Sequence, residues 1–194
     1  MRRHLPFAVL LLTFLAGCST PGGFFGSLDG PVFQVHARSD AGHALVYVYR
    51  PQSRWADQEL EAPGLFLDGR LVGALPSNGY LALELDGASY HVEMRRPLLG
   101  SYWTLFADGL FDFTRITAFT LETEAGGTYY LRYDELNPPP QNGQPSIAEG
   151  PLQLVSAQLG EREIAATRQV RPPQHLPPSR PKAEQPSFWS RLFD

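Results

Sequence analysis

The chain has 194 residues, 16 basic and 20 acidic, with 18 Gly, 18 Pro and a single Cys. That length suits one domain with tails, and an acidic balance without clustered basic charge argues against a nucleic-acid partner. One cysteine excludes an intramolecular disulfide, and the abundance of Gly and Pro points to turns, strands and linkers rather than a helical protein.

Residues 1–17 open with Arg2 and Arg3, run apolar from Phe7 to Leu15 and close on Ala16-Gly17. A basic start, a short apolar stretch and small residues before a cut make a secretory signal. The apolar run is about half the roughly 20 residues that a membrane-spanning helix needs. Leu15-Ala16-Gly17-Cys18 resembles the bacterial lipobox. That resemblance implies cleavage between Gly17 and Cys18 and transfer of a diacylglyceryl group to the Cys18 thiol. One acyl chain holds a protein only reversibly, at about 0.8 kcal/mol per buried methylene, whereas two or three hold it for long periods. Removing residues 1–17 leaves 14 basic and 20 acidic residues, a formal charge of −6. Ser19 follows the cysteine where an enteric lipoprotein retained at the inner membrane would carry Asp. The expected place is therefore the cell envelope, at the outer membrane and facing the periplasm, with membrane lipid as a partner through acylated Cys18.

Residues 18–31 are small and Gly-rich and read as a tether of at most about 40 Å. A domain is expected over residues 32–169. Residues 44–50, ALVYVYR, form its clearest strand, with Val46 and Val48 on one face and Leu45, Tyr47 and Tyr49 on the other. Residues 64–73 read as two strands around Asp68-Gly69, a type I′ hairpin signal. Residues 80–85 alternate, with Leu81, Leu83 and Leu85 on one side, and Asp86-Gly87 turns into a strand over 89–94. Residues 117–124 and 128–134 are expected to pair across Ala125-Gly126-Gly127. A last strand over 151–157 precedes a short helix over 158–169 carrying Leu159, Ile164 and Ala165.

Seven or eight short strands at regular spacing predict an all-β fold, an antiparallel β-sandwich with one short C-terminal helix. The stretches ALVYVYRP, LFLDGRLVGALPSNGYLALELDGASYHVEM and AGGTYYLRYDE resemble, in order and wording, the bacterial family called domain of unknown function 2846. The resemblance covers about residues 44–165 and implies a small exported lipoprotein with a sandwich domain. Its LDGRLVG…LDGASYHVEM portion is also similar to the PEGA modules of surface proteins. These are fold motifs, glycines for turns and apolar strands for a core, and they bring no catalytic set.

Two aromatic segments stand outside this pattern. In residues 97–114, Leu99, Tyr102, Trp103, Phe106, Leu110 and Phe113 suit one side of a helix, while Gly100 and Gly109 leave a hairpin open. These side chains either plug one end of the sandwich or form a contact surface for an envelope protein, the bilayer or a small molecule such as a glycan or lipid. Residues 170–194 form a Pro-rich tail, with six prolines between Arg171 and Pro186, read as a disordered or polyproline spacer. It ends in SFWSRLFD, where Phe188, Trp189, Leu192 and Phe193 suit one side of a short helix. The tip is either a docking motif or a tail folded back on its own domain.

Catalytic signatures are missing from the sequence. No histidines are spaced i, i+4, HExxH and GxSxG do not occur, and no second cysteine could complete a zinc set. His36 and His43 flank the first loop and could meet, but they read as surface or turn residues. His91 is expected to satisfy backbone groups, and Asp134 and Glu135 to be solvated loop charges. The expectation is a non-enzymatic binding or structural module, with no cofactor and no metal. Its candidate site residues are Gly17 and Cys18 for processing and lipidation, and Tyr102, Trp103, Phe106, Phe188, Trp189 and Phe193 for contact.

Overall fold

The computed structural model describes residues 28–59, 61–96, 115–136 and 150–178. β1 (His43–Tyr49) is built of β-branched and aromatic residues, and both of its faces are covered. Val46 and Val48 enter the core between two sheets, whereas Leu45, Tyr47 and Tyr49 enter a second cluster on the outer face. The remaining elements are β2 (Gly64–Leu67), β3 (Arg70–Ala74), β4 (Gly79–Asp86), β5 (Ser89–Arg95), β6 (Arg115–Glu122), β7 (Thr128–Tyr133), β8 (Leu152–Val155), α1 (Ala157–Ile164), β9 (Arg168–Gln169) and β10 (Gln174–Leu176).

The strands form two sheets. One runs β10-β4-β1-β7-β8, with β9 also on β4, and the other runs β3-β2-β5-β6. Between them pack Leu65, Leu81, Leu83, Leu85, Tyr90, Met94, Leu121, Leu131 and Tyr133, all buried. Each such side chain contributes about 1.5–3 kcal/mol by leaving water, which lets the described domain hold together without a disulfide. The fold is the expected all-β sandwich with a short helix near its end.

The β2–β3 hairpin turns at Asp68 (φ 49°) and Gly69 (φ 74°), the two positive φ values that a type I′ turn demands. The Asp68 carboxylate accepts the His91 amide at 2.8 Å, tying the turn to β5. The expected pairing of the strands on either side of Ala125-Gly126-Gly127 is corrected. β6 pairs with β5 in one sheet, and β7 lies between β1 and β8 in the other. β6 alternates buried and exposed residues, as an edge strand of a half-solvated sheet does, whereas most of β7 is buried. Residues 123–127 are thus a corner between sheets, as is Gly87-Ala88 between β4 and β5. Thr123 joins the two corners: its hydroxyl donates to the carbonyls of Asp86 and Ala88, and its amide bonds Ala88 as well.

The sandwich is also not wholly antiparallel. β7 runs parallel to β1, and β9 and β10 run parallel to β4. A parallel neighbour needs a long crossover. Five strands, β2 to β6, supply that crossover between β1 and β7; four of them form the second sheet and β4 pairs with β1.

α1 begins at Ser156, whose hydroxyl accepts the Leu159 amide, and it stops earlier than residue 169. The Thr167 hydroxyl and amide both donate to the Ile164 carbonyl, so the chain leaves the helix and enters β9. Gly160 permits the helix to lie on the sheet: a Cβ there would meet Tyr130 Cγ at 2.3 Å. The expected spacer after residue 169 is corrected over its first residues, because β10 adds a strand to β4 between two pairs of prolines. Proline restricts neighbouring backbone to extended conformations, which suits an edge strand as well as a spacer.

Candidate functional site

The outer face of the six-stranded sheet carries β1 residues 43, 45, 47 and 49 beside β4 residues 86, 84, 82 and 80. Its middle is aromatic. Tyr47 stacks on Tyr130, and Phe33 meets Tyr47 and Tyr80 edge-on at 5.3 and 5.2 Å. Phe33 is held there because its amide donates to the Thr167 carbonyl and the Gln169 amide donates to the Pro31 carbonyl. An open groove of about 470 Å³ lies between this segment and α1, lined by Phe33, Val35, Tyr47, Tyr130 and Glu161 among others.

At one end of this face the polar residues are histidines and carboxylates. Glu84 is buried, and its carboxylate accepts the Ser39 amide at 3.0 Å, the Ser39 hydroxyl at 2.5 Å and His43 Nδ1 at 3.1 Å. His36 Nε2 approaches its other oxygen at 3.4 Å. Burial alone would raise the carboxyl pKa. The hydrogen bonds from Ser39 and His43, with the His36 ring alongside, outweigh burial and hold the group down at about 2. Asp86, the last residue of β4, faces two more imidazole nitrogens, His175 Nε2 at 2.9 Å and His43 Nε2 at 3.5 Å. The His43 and His175 rings stack with centroids 4.1 Å apart and planes 15° from parallel.

The opposite end of the same sheet is held by arginines. Arg50, just after β1 and buried, donates to Glu59 at 2.6 Å and lies 5.1 Å from the Tyr133 ring centre. The Tyr133 hydroxyl donates to Glu135, which also pairs with Arg96. Arg132 bonds Glu163 of α1 at 2.8 Å and Asp134 at 3.0 Å, and the Tyr49 hydroxyl donates to Glu163 at 2.9 Å. Burial, then the neighbouring carboxylates, push the Tyr49 and Tyr133 hydroxyl pKa values well up.

Several expectations change on this geometry. Asp134 and Glu135 are not solvated loop charges, since each is mostly buried beside an arginine. The His91 ring bonds the Glu93 carboxylate at 2.8 Å, and it is the His91 backbone that meets Asp68. His36 and His43 do meet, and they do so on Glu84. Sequence reasoning missed Glu84, Asp86 and His175 as members of one group. Alternation in β4 gave the available signal for Glu84, because it places that residue with Tyr80 and Ala82 on a face that proves to be covered. The expected processing residues Gly17 and Cys18 lie outside the described residues. So do the expected contact residues Tyr102, Trp103, Phe106, Phe188, Trp189 and Phe193.

Among the described residues no helix is long and apolar enough to cross a membrane. Residues 40–150, more than half of the chain, match a family described as protein of unknown function (DUF2846). No curated protein and no solved structure matches.

Proposed function

The chain belongs to the DUF2846 family of unknown function, and we propose that it is a lipid-anchored envelope protein whose domain acts as a non-catalytic binding or structural module. The observation that carries this reading is Cys18. It is the chain's one cysteine, and it directly follows a basic, apolar and small-residue sequence of the secretory kind. A lone thiol in an exported protein calls for an explanation, and lipidation supplies one.

The fold supports the reading through distance. Pro31 and Val32 already pair with residues 168 and 169 of the domain, so residues 19–30 alone separate lipid from protein. At about 3.3 Å per residue that tether keeps the domain within about 40 Å of the bilayer. In this reading the domain faces the periplasm from the outer membrane, and the aromatic segments at 97–114 and 187–194 supply the contact surface for an envelope partner.

Cys18→Ala tests the anchor. Labelled palmitate should enter the native protein and not the variant, and the variant should fractionate as soluble protein or uncleaved precursor. Palmitate labelling or membrane attachment that survives the substitution would overturn the proposal.

A further inference from the structure

We infer that His43, Asp86 and His175 form a binding site for a transition-metal dication of the zinc class, with Glu84 as the positioning residue that orients His43. The three side chains come from separate parts of the chain: the first residue of β1, the last of β4 and the middle of β10. Strand pairing sets them side by side. His43 is the register partner of Asp86 across β1 and β4, and His175 is the partner of Glu84 across β10 and β4.

The convergence goes beyond what pairing alone would give. β1 and β10 lie on opposite sides of β4, two strand spacings or about 9.5 Å apart. The centres of their histidine rings are nevertheless only 4.1 Å apart. Both rings therefore lean inward over the end of β4, where Asp86 sits. One donor atom from each of the three residues lies within 4.8 Å of the other two. In a tetrahedral shell with bonds of about 2.0–2.2 Å, donor atoms stand about 3.3–3.6 Å apart. Each nitrogen lone pair lies in its own ring plane, so ligation turns the two rings out of their parallel stack, a rotation of the side chains that leaves the strands in place.

Glu84 decides which His43 nitrogen is available. Its carboxylate takes the Nδ1 position at 3.1 Å and is itself fixed by the Ser39 amide and hydroxyl. A carboxylate there places a proton on Nδ1, and in the neutral ring this leaves the Nε2 lone pair facing the Asp86 oxygen 3.5 Å away. Two acceptors facing one another leave a gap that a cation bridges. A carboxylate behind a ligating histidine is the usual second layer of a metal site, fixing the tautomer and aiming the ring. A single proton on His43 Nε2 would fill the same gap, with His175 donating its Nε2–H to Asp86, and a bound metal would displace both protons. One dication bound by two neutral imidazoles and one carboxylate satisfies all three groups. The donor set of two nitrogens and one oxygen suits zinc, cobalt, nickel or copper and not calcium or magnesium. Asp86 and His175 are each about two-fifths exposed, so a metal can enter and keep solvent in the fourth position.

The test uses the full chain, purified in detergent and stripped with a chelator, with Zn(II) and Co(II) as probes. Calorimetry should show one saturable equivalent of Zn(II). Co(II) should give the visible absorption of four-coordinate ligation, and the thermal midpoint should rise with metal concentration. His43→Ala and His175→Ala should each abolish saturable binding, and His175→Asn, milder at that exposed edge, should do the same. Glu84→Gln should keep the stoichiometry and weaken affinity about 10–100-fold, while His91→Ala should bind as the native chain does. Absence of saturable binding by the native chain would overturn the site, as would native affinity in the His43 and His175 variants. Native affinity in Glu84→Gln would remove Glu84 from its positioning role.

Discussion

At the Arg50 end of β1 the positive charges are guanidinium groups, fixed at every accessible pH, and each reaches a carboxylate or an aromatic face. At the His43 end, a strand length of about 20 Å away, the same role falls to imidazoles, whose charge depends on solution conditions. Both ends lie on the same sheet and share β1, and both bury a carboxylate or its partner. The difference teaches that burial alone does not mark a site. Arg50, Glu59, Arg132 and Glu163 form closed pairs that pin the loop after β1 and the helix to the sheet. His43 and His175 share one aspartate and face each other, the arrangement from which a bound metal is inferred.

The largest expected effect is at the fixed end. Arg50→Ala leaves Glu59 without its 2.6 Å partner and removes the cation beside Tyr133. Breaking a buried pair from one side costs about 3–5 kcal/mol, most of it from the charge left behind. Urea unfolding should show that loss, and it should be the same with and without Zn(II), because no metal-responsive group is touched. A loss below about 1 kcal/mol would mean that the arginine end is an ordinary surface pair and that the contrast with the histidine end fails.

A smaller effect, with a pH signature, is expected at Glu84. Glu84→Gln keeps the shape but weakens the hydrogen bonds from Ser39 and His43, at a cost of about 1.5–3 kcal/mol near neutral pH in the presence of chelator. The native carboxyl sits at about 2, below its ordinary 4.5, so its contribution is fully present above pH 4.5. As pH falls from 4.5 towards 2 the unfolded chain takes up a proton that the folded chain resists, and the contribution is lost. The stability gap between native and variant should therefore close across that window. A gap that stays constant from pH 7 to pH 2 would show that the buried carboxylate is not what the histidine end rests on.

How much of this was legible before the fold was known divides along the same line. β1 was readable because Val and Tyr alternate without interruption, and the β2–β3 turn because Asp-Gly is the residue pair that accepts two positive φ values. Those signals are local. The parallel seat of β7 beside β1 was not readable, since it depends on five intervening strands finding their sheets. The histidine cluster was hidden for a related reason. His43, Glu84, Asp86 and His175 are separated by 41, 2 and 89 positions, and His175 stands among prolines that favour a spacer as much as an edge strand. Glu84 lies opposite Leu81, Leu83 and Leu85 on an alternating strand, and nothing near it in sequence announces the segment that covers it. The arginine end had faint local signals, such as Arg132 two residues from Asp134, and these fit surface charge equally well.

The smallest expected effect puts the two ends on opposite limbs of one pH profile. Tyr49→Phe removes a single hydroxyl whose hydrogen bond to Glu163 is 2.9 Å long, while Arg132 continues to hold that carboxylate. The cost near neutral pH should be about 1 kcal/mol. Burial first, then Glu163, raise the folded Tyr49 pKa above the ordinary 10.0. Its contribution is thus complete below pH 10 and is lost above it, when the unfolded chain gives up the tyrosine proton and the folded chain does not. The native protein should lose stability above pH 10 faster than Tyr49→Phe, so that their gap narrows in alkali and is flat in acid. Glu84→Gln should behave in the reverse sense, narrowing in acid and flat in alkali. Chemical denaturation of the native chain and both variants at pH 3, 7 and 10.5 distinguishes these patterns. If both variants narrowed on the same limb, the two ends would not be independent, and coupling through their shared strand β1 would have to replace the picture of a fixed end and a cation-responsive one.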